Sequence, residues 1–330
     1  MVYRNLLLMK DKYQMLLHIG LPKTASTSLQ NNLLYGLHKE RKINFLGKSE
    51  GVGRRGFFSN PEIVTMLTAK KLTKEELCKI QKKMEKLLTH EKLNVLSEET
   101  LSVSMSYDVE AVLHNLKTIF QKCDIKILIS LRSPVDMLFS VFIEDYPWLY
   151  YADDNRNTFE KFSKGIVRNF TNIDYLQFKY EAYLNLIDQY FCDKTVLLFE
   201  DLKYDQDTYF STLSHLLGIE KDEANRLFLS SVQHSKKVTT IGKKSKGYTA
   251  LNALLKVTPN KYKHKLKEMW LLRLLRYITV SKPVEHIYPN VQISAFILNT
   301  FGIKNIDKFS KKYRLNKDKL TQYNYFLLDR

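Results

Sequence analysis

Residues 18–30 (HIGLPKTASTSLQ) constrain the fold more than any other segment of the chain. The apolar run over residues 15–19 predicts a buried strand that leads into a turn rich in hydroxyl groups, and the residues after the turn predict a helix. The first amides of a helix lack intrahelical partners and carry the positive end of the helix dipole. A strand, a short turn and a helix in this order therefore predict a binding site for an anion.

The turn itself supplies the candidate anion ligands. Lys23 contributes a mobile positive charge, and the residues after it contribute backbone amides and hydroxyl groups. The candidates are Lys23, Thr24, Ala25, Ser26, Thr27 and Ser28. The lysine comes early in this turn, whereas the usual nucleotide triphosphate loop, G-x-x-x-x-G-K-[ST], has its lysine late and after a glycine. An ordinary capped turn between a strand and a helix is the alternative interpretation.

A second strand end carries another candidate anion contact. Residues 126–131 (KILISL) predict a buried strand, and after Arg132 come Ser133, which suits a helix N-cap, and Pro134, which suits the first helical position. Ser140 lies two helical turns beyond Ser133, so Arg132 and Ser140 can face the same space beside the strand end and share one phosphate. A surface ion pair is the alternative interpretation of Arg132.

Together the two motifs resemble those of the sulfotransferases that use 3′-phosphoadenosine-5′-phosphosulfate (PAPS). Residues 22–27 (PKTAST) are similar to the family's 5′-phosphosulfate loop, P-K-T-G-T-T, with Ala25 in place of the glycine, where a positive φ would strain alanine. Arg132 and Ser140 match the family's 3′-phosphate motif position for position. The resemblance implies PAPS as donor, 3′-phosphoadenosine-5′-phosphate (PAP) as product, no required metal, and Lys23 as the residue that stabilises the departing phosphate.

Sulfuryl transfer also needs a base, because the acceptor hydroxyl or amine loses a proton as it attacks sulfur. Glu98 follows a predicted strand over residues 93–96, and Glu50 lies in the glycine-rich loop after a predicted strand over residues 43–46. The resemblance relates Glu98 to the base histidine of the small-molecule enzymes and Glu50 to the base glutamate of the glycosaminoglycan enzymes. Each is otherwise a solvated loop carboxylate. His18 is a further candidate, with a packed strand residue as its alternative.

A lysine-rich stretch over residues 241–247 (IGKKSKG) resembles the loop that covers the nucleotide in glycan sulfotransferases. The resemblance adds Lys243, Lys246 and Gly247 to the candidate cofactor site, although Tyr248 stands where that loop ends in arginine. Flanking glycines allow backbone amides to close over a phosphate. A mobile, solvated loop is the alternative interpretation.

Strands and helices alternate along the chain, which predicts an α/β, P-loop-like three-layer fold with a mostly parallel central sheet flanked by helices. We expect a single domain, with a nucleotide-binding core over residues 13–220 and a cofactor-covering loop and helical addition over residues 221–330. Ligands of such sheets bind beyond the carboxyl ends of the strands, where Lys23, Glu98 and Arg132 fall.

Three local patterns refine this prediction. Thr73 and Glu76 have the spacing of a capping box, which predicts that a helix begins there. A predicted strand over residues 195–199 ends in residues 200–202 (EDL), which resembles a strand end of the family and is equally typical of a capping sequence. Residues 306–320 resemble the single closing helix of many bacterial sulfotransferases.

Charge and composition limit the class of partner. The net charge of +17 favours an acidic partner: a nucleic acid, an anionic lipid, a sulfated or carboxylated glycan, or the cofactor phosphates. Charge alone does not choose among these partners. The glutamate candidates, the basic surface and the resemblance to bacterial and glycan sulfotransferases imply a carbohydrate or glycolipid acceptor, and we expect no nucleic acid.

The basic and apolar residues 260–277, which include WLLRLLRY, predict a helix that packs on the core with a basic outer face. Peripheral contact with an anionic membrane or contact with an acidic acceptor is the alternative interpretation. No apolar run reaches the length of a signal sequence or a spanning helix, so we expect a cytoplasmic protein, and the three separated cysteines predict reduced core thiols.

Two other functions stay open at this point. A P-loop-type kinase would use the same loop with ATP and Mg²⁺, although the early lysine and the lack of a clear metal-binding aspartate disfavour it. A non-catalytic basic module would bind nucleic acid or anionic lipid with a steep dependence on salt. Binding of PAP rather than ATP, saturable at moderate salt, separates the sulfotransferase from both.

Overall fold

The computed structural model describes residues 12–46, 72–101, 108–152, 158–168, 178–230 and 289–327, with the isolated positions 250, 251, 254, 258, 275 and 278. By contacts between Cα atoms the chain divides into two compact units. The first comprises Met1–Pro134, Phe170–Gln233 and Phe301–Arg330, and the second comprises Val135–Asn169 and His234–Thr300. The expectation of a single domain stays a prediction.

A five-stranded sheet forms the centre of the first unit. Its strands are β1 (Tyr13–His18), β2 (Asn44–Phe45), β3 (Asn94–Ser97), β4 (Cys123–Leu131) and β5 (Asp193–Leu198). They are paired in the order β2-β3-β1-β4-β5, and every pair is parallel. The chain first leaves β1 toward β2 and β3 and then crosses to β4 and β5. The strand order therefore reverses at β1, and this is the point where open parallel sheets bind ligands.

Helices flank this sheet, so the predicted α/β class is confirmed. Helix α1 is α-helical over Ser26–Ser28, π-helical over Leu29–Leu34 and α-helical over Tyr35–Lys39. The other helices with both ends in the described ranges are α2 (Lys74–Glu85), α3 (Val109–Ile119), α4 (Pro134–Ala152), α5 (Phe159–Arg168), α6 (Tyr180–Tyr190), α7 (Asp201–Tyr204), α8 (Gln206–Leu217), α9 (Lys221–Leu229), α10 (Val291–Phe301), α11 (Ile306–Tyr313) and α12 (Lys317–Gln322).

Apolar burial fixes α1 and the central strands in place. Leu33 and Leu37 of α1 are fully buried and belong to one core cluster with Leu16 of β1 and Leu213 of α8. Continuous apolar strands are typical of a parallel sheet covered on both faces, and residues 127–131 follow that pattern except for Ser130. The core therefore holds the start of α1 rigidly at the end of β1.

The capping box predicted at the start of α2 is confirmed. The Thr73 hydroxyl accepts a hydrogen bond from the backbone N–H of Glu76, and the Glu76 carboxylate accepts one from the backbone N–H of Thr73. The two bonds satisfy donors that a helix start leaves unpaired, so helix α2 begins at Lys74.

The predicted single closing helix is wrong, because residues 306–320 form two helices. Helix α11 ends at Tyr313, and the next residue, Arg314, has a φ of 56°, which lies in the left-handed region. Helix α12 then begins after Asn316, whose side chain accepts hydrogen bonds from the backbone N–H groups of Asp318 and Lys319. A left-handed residue followed two positions later by an N-cap stops one helix and starts the next.

Glu200 and Asp201, at the end of β5, bind the C-terminal segment of the chain. The Glu200 carboxylate accepts hydrogen bonds from the backbone N–H of Ser133 at 2.9 Å and from the hydroxyl of Tyr325 at 2.7 Å. Asp201 pairs with Lys319 at 2.9 Å. Both carboxylates are at least 95% buried, with exposed fractions of 3% and 5%. Through these contacts, Glu200 and Asp201 join the ends of β4 and β5 to residues near the C-terminal end of the chain.

The second unit contains an aromatic cluster between α4 and α5. The ring of Phe159 lies 5.2 Å from that of Phe139 and 5.6 Å from that of Phe142, and Phe162 lies 5.4 Å from Phe142. These separations fall in the range in which aromatic pairs attract one another. The cluster fixes α5 against α4.

The cysteine prediction is partly wrong. Cys123 is buried at the start of β4, and burial raises the pKa of its thiol to about 12, whereas Cys78 and Cys192 are exposed rather than in the core. In the part of the chain that the structure describes, no helix combines the length and the apolar character that a membrane crossing requires.

Replacing Tyr325 by Phe should lower the free energy of unfolding by about 1 to 3 kcal/mol, because it removes a hydrogen bond to the buried carboxylate of Glu200. Urea unfolding measures the change. Tyr204→Phe is the matched control, since Tyr204 is 69% exposed and its substitution should change the stability by less than about 0.5 kcal/mol. Equal effects of the two substitutions would contradict the role given to Tyr325.

Candidate anion-binding site

The carboxyl ends of β1, β3 and β4 lie side by side, because these three strands are neighbours in a parallel sheet. His18, the last residue of β1, is in register with Ser97 of β3 and with Leu128 of β4. Strand β4 continues to Leu131, three residues past that level, or roughly 10 Å. The loop after β1 therefore runs alongside the end of β4, and the residue after β4, Arg132, reaches it.

This loop takes an unusual backbone path at two non-glycine residues. Lys23 has a φ of 67° and Ala25 has a φ of 63°, so both lie in the left-handed region. Where residues in the left-handed and right-handed helical conformations alternate, successive backbone N–H groups point toward one side. The result is a concave surface that can bind an anion. The positive φ predicted to strain an alanine at position 25 is therefore present.

Arg132 is bonded directly to the loop. Its Nη1 donates a hydrogen bond of 2.9 Å to the carbonyl oxygen of Lys23. Its guanidinium lies 4.6 Å from the centre of the Phe199 ring, and its backbone carbonyl accepts a hydrogen bond from the Tyr180 hydroxyl. Among the residues that the structure describes, its buried Nε has no hydrogen-bond partner. Arg132 thus fixes the loop and retains an unused donor.

The two hydroxyls nearest the helix start have different partners. The Thr24 hydroxyl is buried and donates to the carbonyl of Leu21 at 2.7 Å, so Thr24 can offer an anion only its backbone N–H. The Ser26 hydroxyl donates to the carboxylate of Glu99, which opens the short 3₁₀ turn after β3. Glu99 is not among the residues that the sequence motifs predict for the site. Its adjacency to Glu98 was the available signal, but which of two neighbouring glutamates faces the loop depends on that turn.

A buried polar network supports the loop from below. The Ser97 hydroxyl lies 2.7 Å from Nδ1 of His18 and accepts a hydrogen bond of 3.1 Å from Nε2 of Gln30. We assign the hydroxyl hydrogen to Nδ1, which leaves the imidazole hydrogen on Nε2. His18 is 1% exposed, and burial lowers the pKa of its imidazole to about 4. His18 is therefore a neutral, packed strand residue.

Gly20 is required where the loop passes over this imidazole. A Cβ atom at position 20 would lie 2.6 Å from Cε1 and 2.7 Å from Nε2 of His18. Real Cβ contacts do not occur at such distances, so any larger residue has to displace the loop or the ring. The loop therefore passes so close to the His18 ring that position 20 has no room for a side chain.

The remaining candidates divide into those the structure places near the loop and those it does not describe. Glu98 is 4% exposed, and its backbone N–H bonds to the carbonyl of His18 at 3.2 Å, so it is held at the end of β1. Thr27 and Ser28 are half-buried in the first turn of α1. Ser140 lies on α4 in the second unit, and its role beside Arg132 stays a prediction. Four candidates lie outside the described residues: Glu50, Lys243, Lys246 and Gly247.

The loop after β1 and the residue after β4 carry several groups that can donate hydrogen bonds to an anion. Lys23 belongs to the loop, and Nε of Arg132 is a buried donor without a hydrogen-bond partner among the described residues. The hydroxyl of Ser26 is a third donor, which the carboxylate of Glu99 occupies, and the neutral His18 adds no charge. Charge-assisted hydrogen bonds of this type are the strong ones in proteins. The chemistry of the donor set therefore fits phosphate or sulfate groups.

A separate basic cavity lies at the opposite, amino end of β2 and β3. Its volume is about 650 Å³, and it is lined by His38, Lys39, Arg41, Ile43, Asn44, Leu87, Thr89 and Lys92. None of the loop residues lines it. We therefore locate the candidate site from the chemistry of the loop rather than from this cavity.

Two solved structures resemble this chain at low similarity. A sulfotransferase from Alicyclobacillus acidocaldarius is 17% identical, with a TM-score of 0.39 over 63% of this chain and 81% of that chain. The sulfotransferase domain from the curacin biosynthetic pathway is 14% identical, with a TM-score of 0.38 over 68% of this chain and 79% of that chain. No protein-family model and no curated protein matches the sequence. At this similarity the two structures carry no argument about function.

Replacing Ala25 by Gly should leave the free energy of unfolding unchanged or raise it by up to about 1 kcal/mol, because relief of the left-handed strain offsets the added flexibility of the unfolded chain. Ala111→Gly, inside helix α3, is the control and should lower it by about 1 kcal/mol. Denaturant unfolding compares the two variants. An equal loss in both would show that Ala25 is not in the left-handed conformation.

Acid should destabilise the protein through His18. Because the folded pKa of about 4 lies below the unfolded value of 6.5, the unfolded chain binds more protons between these values, and stability falls as the pH falls. The loss attributable to His18 between pH 7 and pH 5 is about 2 kcal/mol. His18→Gln should remove that part of the pH dependence, whereas His215→Gln, at an exposed position, should retain it. Urea unfolding at pH 7 and pH 5 measures the free energy of unfolding of each variant. If His18→Gln kept the full pH dependence, the imidazole of His18 would not be buried in its neutral form.

Proposed function

We propose that this protein is a sulfotransferase that moves the sulfuryl group of PAPS to a hydroxyl or amine of an acceptor. The proposal combines the order of the loop residues with the donor set that meets at the end of β1. When bound, PAPS supplies an activated sulfuryl group, and PAP is the product that leaves. The acceptor that we propose is a carbohydrate or glycolipid.

One observation carries the proposal: the hydrogen bond from Arg132 to the carbonyl of Lys23. The motif of residues 22–27 and the motif at Arg132 are separated by more than a hundred residues, yet this bond joins them at the switch point of the sheet. A surface ion pair does not explain a guanidinium that is fixed by a loop carbonyl and by the Phe199 ring. Two anion-binding motifs in contact support a ligand with phosphates at two places, as in PAPS.

The residues of the loop have separable tasks in this proposal. The backbone amides at the start of α1 and the hydroxyl of Ser26 bind and orient the 5′ end of the donor. Lys23 provides a positive charge that stabilises the negative charge developing on the leaving phosphate. Electrostatic stabilisation of this kind is usually the largest single contribution to catalysis. Arg132, with its buried Nε, binds the phosphate at the 3′ position.

Glu98 is our proposed base, with Glu50 as the alternative. The backbone of Glu98 is bonded to that of His18, so the residue is held beside the loop rather than solvated as its alternative interpretation required. A base has to lie within hydrogen-bond reach of the acceptor hydroxyl in order to accept its proton. The position of Glu98 after β3, with its backbone bonded to the end of β1, supports this role.

The net charge of +17 supports the proposed acceptor class only in a general way. A basic protein attracts acidic glycans and anionic lipid headgroups and accelerates their encounter at low salt. The first experiment is therefore a screen in which the purified protein is given labelled PAPS and separate pools of neutral glycans, acidic glycans and glycolipids. Transfer of label to a pool identifies the acceptor class.

Lys23→Ala should lower kcat/KM for this transfer by roughly 100-fold or more, because it removes the charge that stabilises the leaving phosphate. Lys92→Ala, at the amino end of β3 beside the separate basic cavity, is the matched control and should keep the full rate. Both variants remove one lysine, so a general effect of charge would act on both equally.

Calorimetric titration with PAP and with ATP completes this test. The proposal predicts saturable binding of PAP by the unaltered protein and weaker binding of PAP by Lys23→Ala. Transfer of no label, together with tighter binding of ATP plus Mg²⁺ than of PAP, would overturn the proposal in favour of a kinase. Binding to nucleic acid or lipid with a steep salt dependence and no binding of PAP would overturn it in favour of a basic binding module.

A further inference from the structure

The hydroxyl that opens helix α1 is engaged by a carboxylate. Ser26 is the first residue of the helix, is 4% exposed, and donates its hydroxyl hydrogen to Oε1 of Glu99. Glu99 is half-buried and begins the turn Glu99–Leu101 directly after β3. A negatively charged group of this chain is thus bound to a donor at the helix start, the place where an external anion binds.

A serine hydroxyl has a single hydrogen to donate. It can serve the Glu99 carboxylate or an oxygen of a bound phosphate or sulfate group, but not both at once. In addition, a carboxylate and a second anion at hydrogen-bond distance from the same atom repel each other, and the repulsion is strong where water is scarce. Glu99 and an anionic ligand therefore compete for Ser26.

The backbone that leads into Glu99 is tied to β1 and α1, so we assign this competition to the Glu99 side chain. Ser97 is bonded to His18 and to Gln30, and the backbone N–H of Glu98 is bonded to the carbonyl of His18. These bonds tie the end of β3 to β1 and α1. Rotation about the side-chain bonds of Glu99 is then the motion that moves its carboxylate toward or away from Ser26.

We propose that Glu99 is a positioning residue that competes with the 5′-phosphosulfate of the donor for the Ser26 hydroxyl and turns away when the donor binds. This inference rests on the proposed function. The proposal has two consequences. Before the donor binds, the carboxylate of Glu99 keeps the Ser26 hydroxyl in one orientation. The affinity for the donor is lower than it would be without that carboxylate.

Calorimetric titration of PAP tests the competition without any need for turnover. Glu99→Gln should bind PAP about tenfold more tightly than the unaltered protein, because the neutral amide neither repels the ligand nor holds Ser26 as strongly. Glu91→Gln is the matched control. Glu91 is exposed in the turn before the amino end of β3, so its substitution changes the net charge equally and should leave PAP affinity unchanged.

A second variant separates reach from charge. Glu99→Asp keeps the negative charge but shortens the side chain by one methylene group, which withdraws the carboxylate from Ser26. Competition for the hydroxyl predicts that Glu99→Asp binds PAP more tightly than the unaltered protein, whereas a general charge effect predicts no change. A purely structural role for Glu99 predicts weaker binding in both variants.

The outcomes distinguish this inference from the proposed function. Binding of PAP by the unaltered protein, with a tenfold gain in Glu99→Gln and a smaller gain in Glu99→Asp, supports both. Binding of PAP by the unaltered protein, with Glu99→Gln no tighter than Glu91→Gln or with no gain in Glu99→Asp, overturns the inference and leaves the function standing. No binding of PAP by the unaltered protein overturns both.

Discussion

The hydrogen bond from Arg132 to the carbonyl of Lys23 is the contact on which the candidate site depends. It joins the end of β4 to the loop after β1, and these two segments come from distant parts of the sequence. The guanidinium is held on its other side by the Phe199 ring, and the backbone of Arg132 is held by the Tyr180 hydroxyl. The loop conformation, with its two left-handed residues, is therefore fixed from the sheet as well as from helix α1.

Buried polar groups fix the strand ends that surround this contact. Ser97 connects His18 of β1 to Gln30 of α1, and Glu200 connects the backbone after β4 to Tyr325 near the C-terminal end of the chain. A buried polar group without a partner is costly, so each of these connections is specific for one arrangement of the chain. Apolar packing alone would bury the strands but would leave the relative heights of their carboxyl ends less well determined.

Local patterns in the sequence were sufficient for the α/β fold class, whereas the roles of the candidate site residues stay predictions. Three local patterns predict the structure of short segments, because neighbouring residues decide that structure. They are the apolar run before residues 18–30, the capping box at Thr73 and the buried run before Arg132. The bond between Ser26 and Glu99 was missed, because it depends on a short turn with no periodic signature. The break at Arg314 was missed as well, although Asn316 carried the signal of a new helix start.

The central claim is that two separate segments bind two ends of one nucleotide, and the affinity ratio between PAP and adenosine 5′-monophosphate tests it most directly. The two ligands share the 5′-phosphate and differ in the 3′-phosphate, so calorimetric titration of the unaltered protein with each isolates the contribution assigned to Arg132. The account predicts that PAP binds at least about tenfold more tightly, since a charge-assisted hydrogen bond contributes about 1.5 kcal/mol or more. Equal affinities for the two ligands would contradict it.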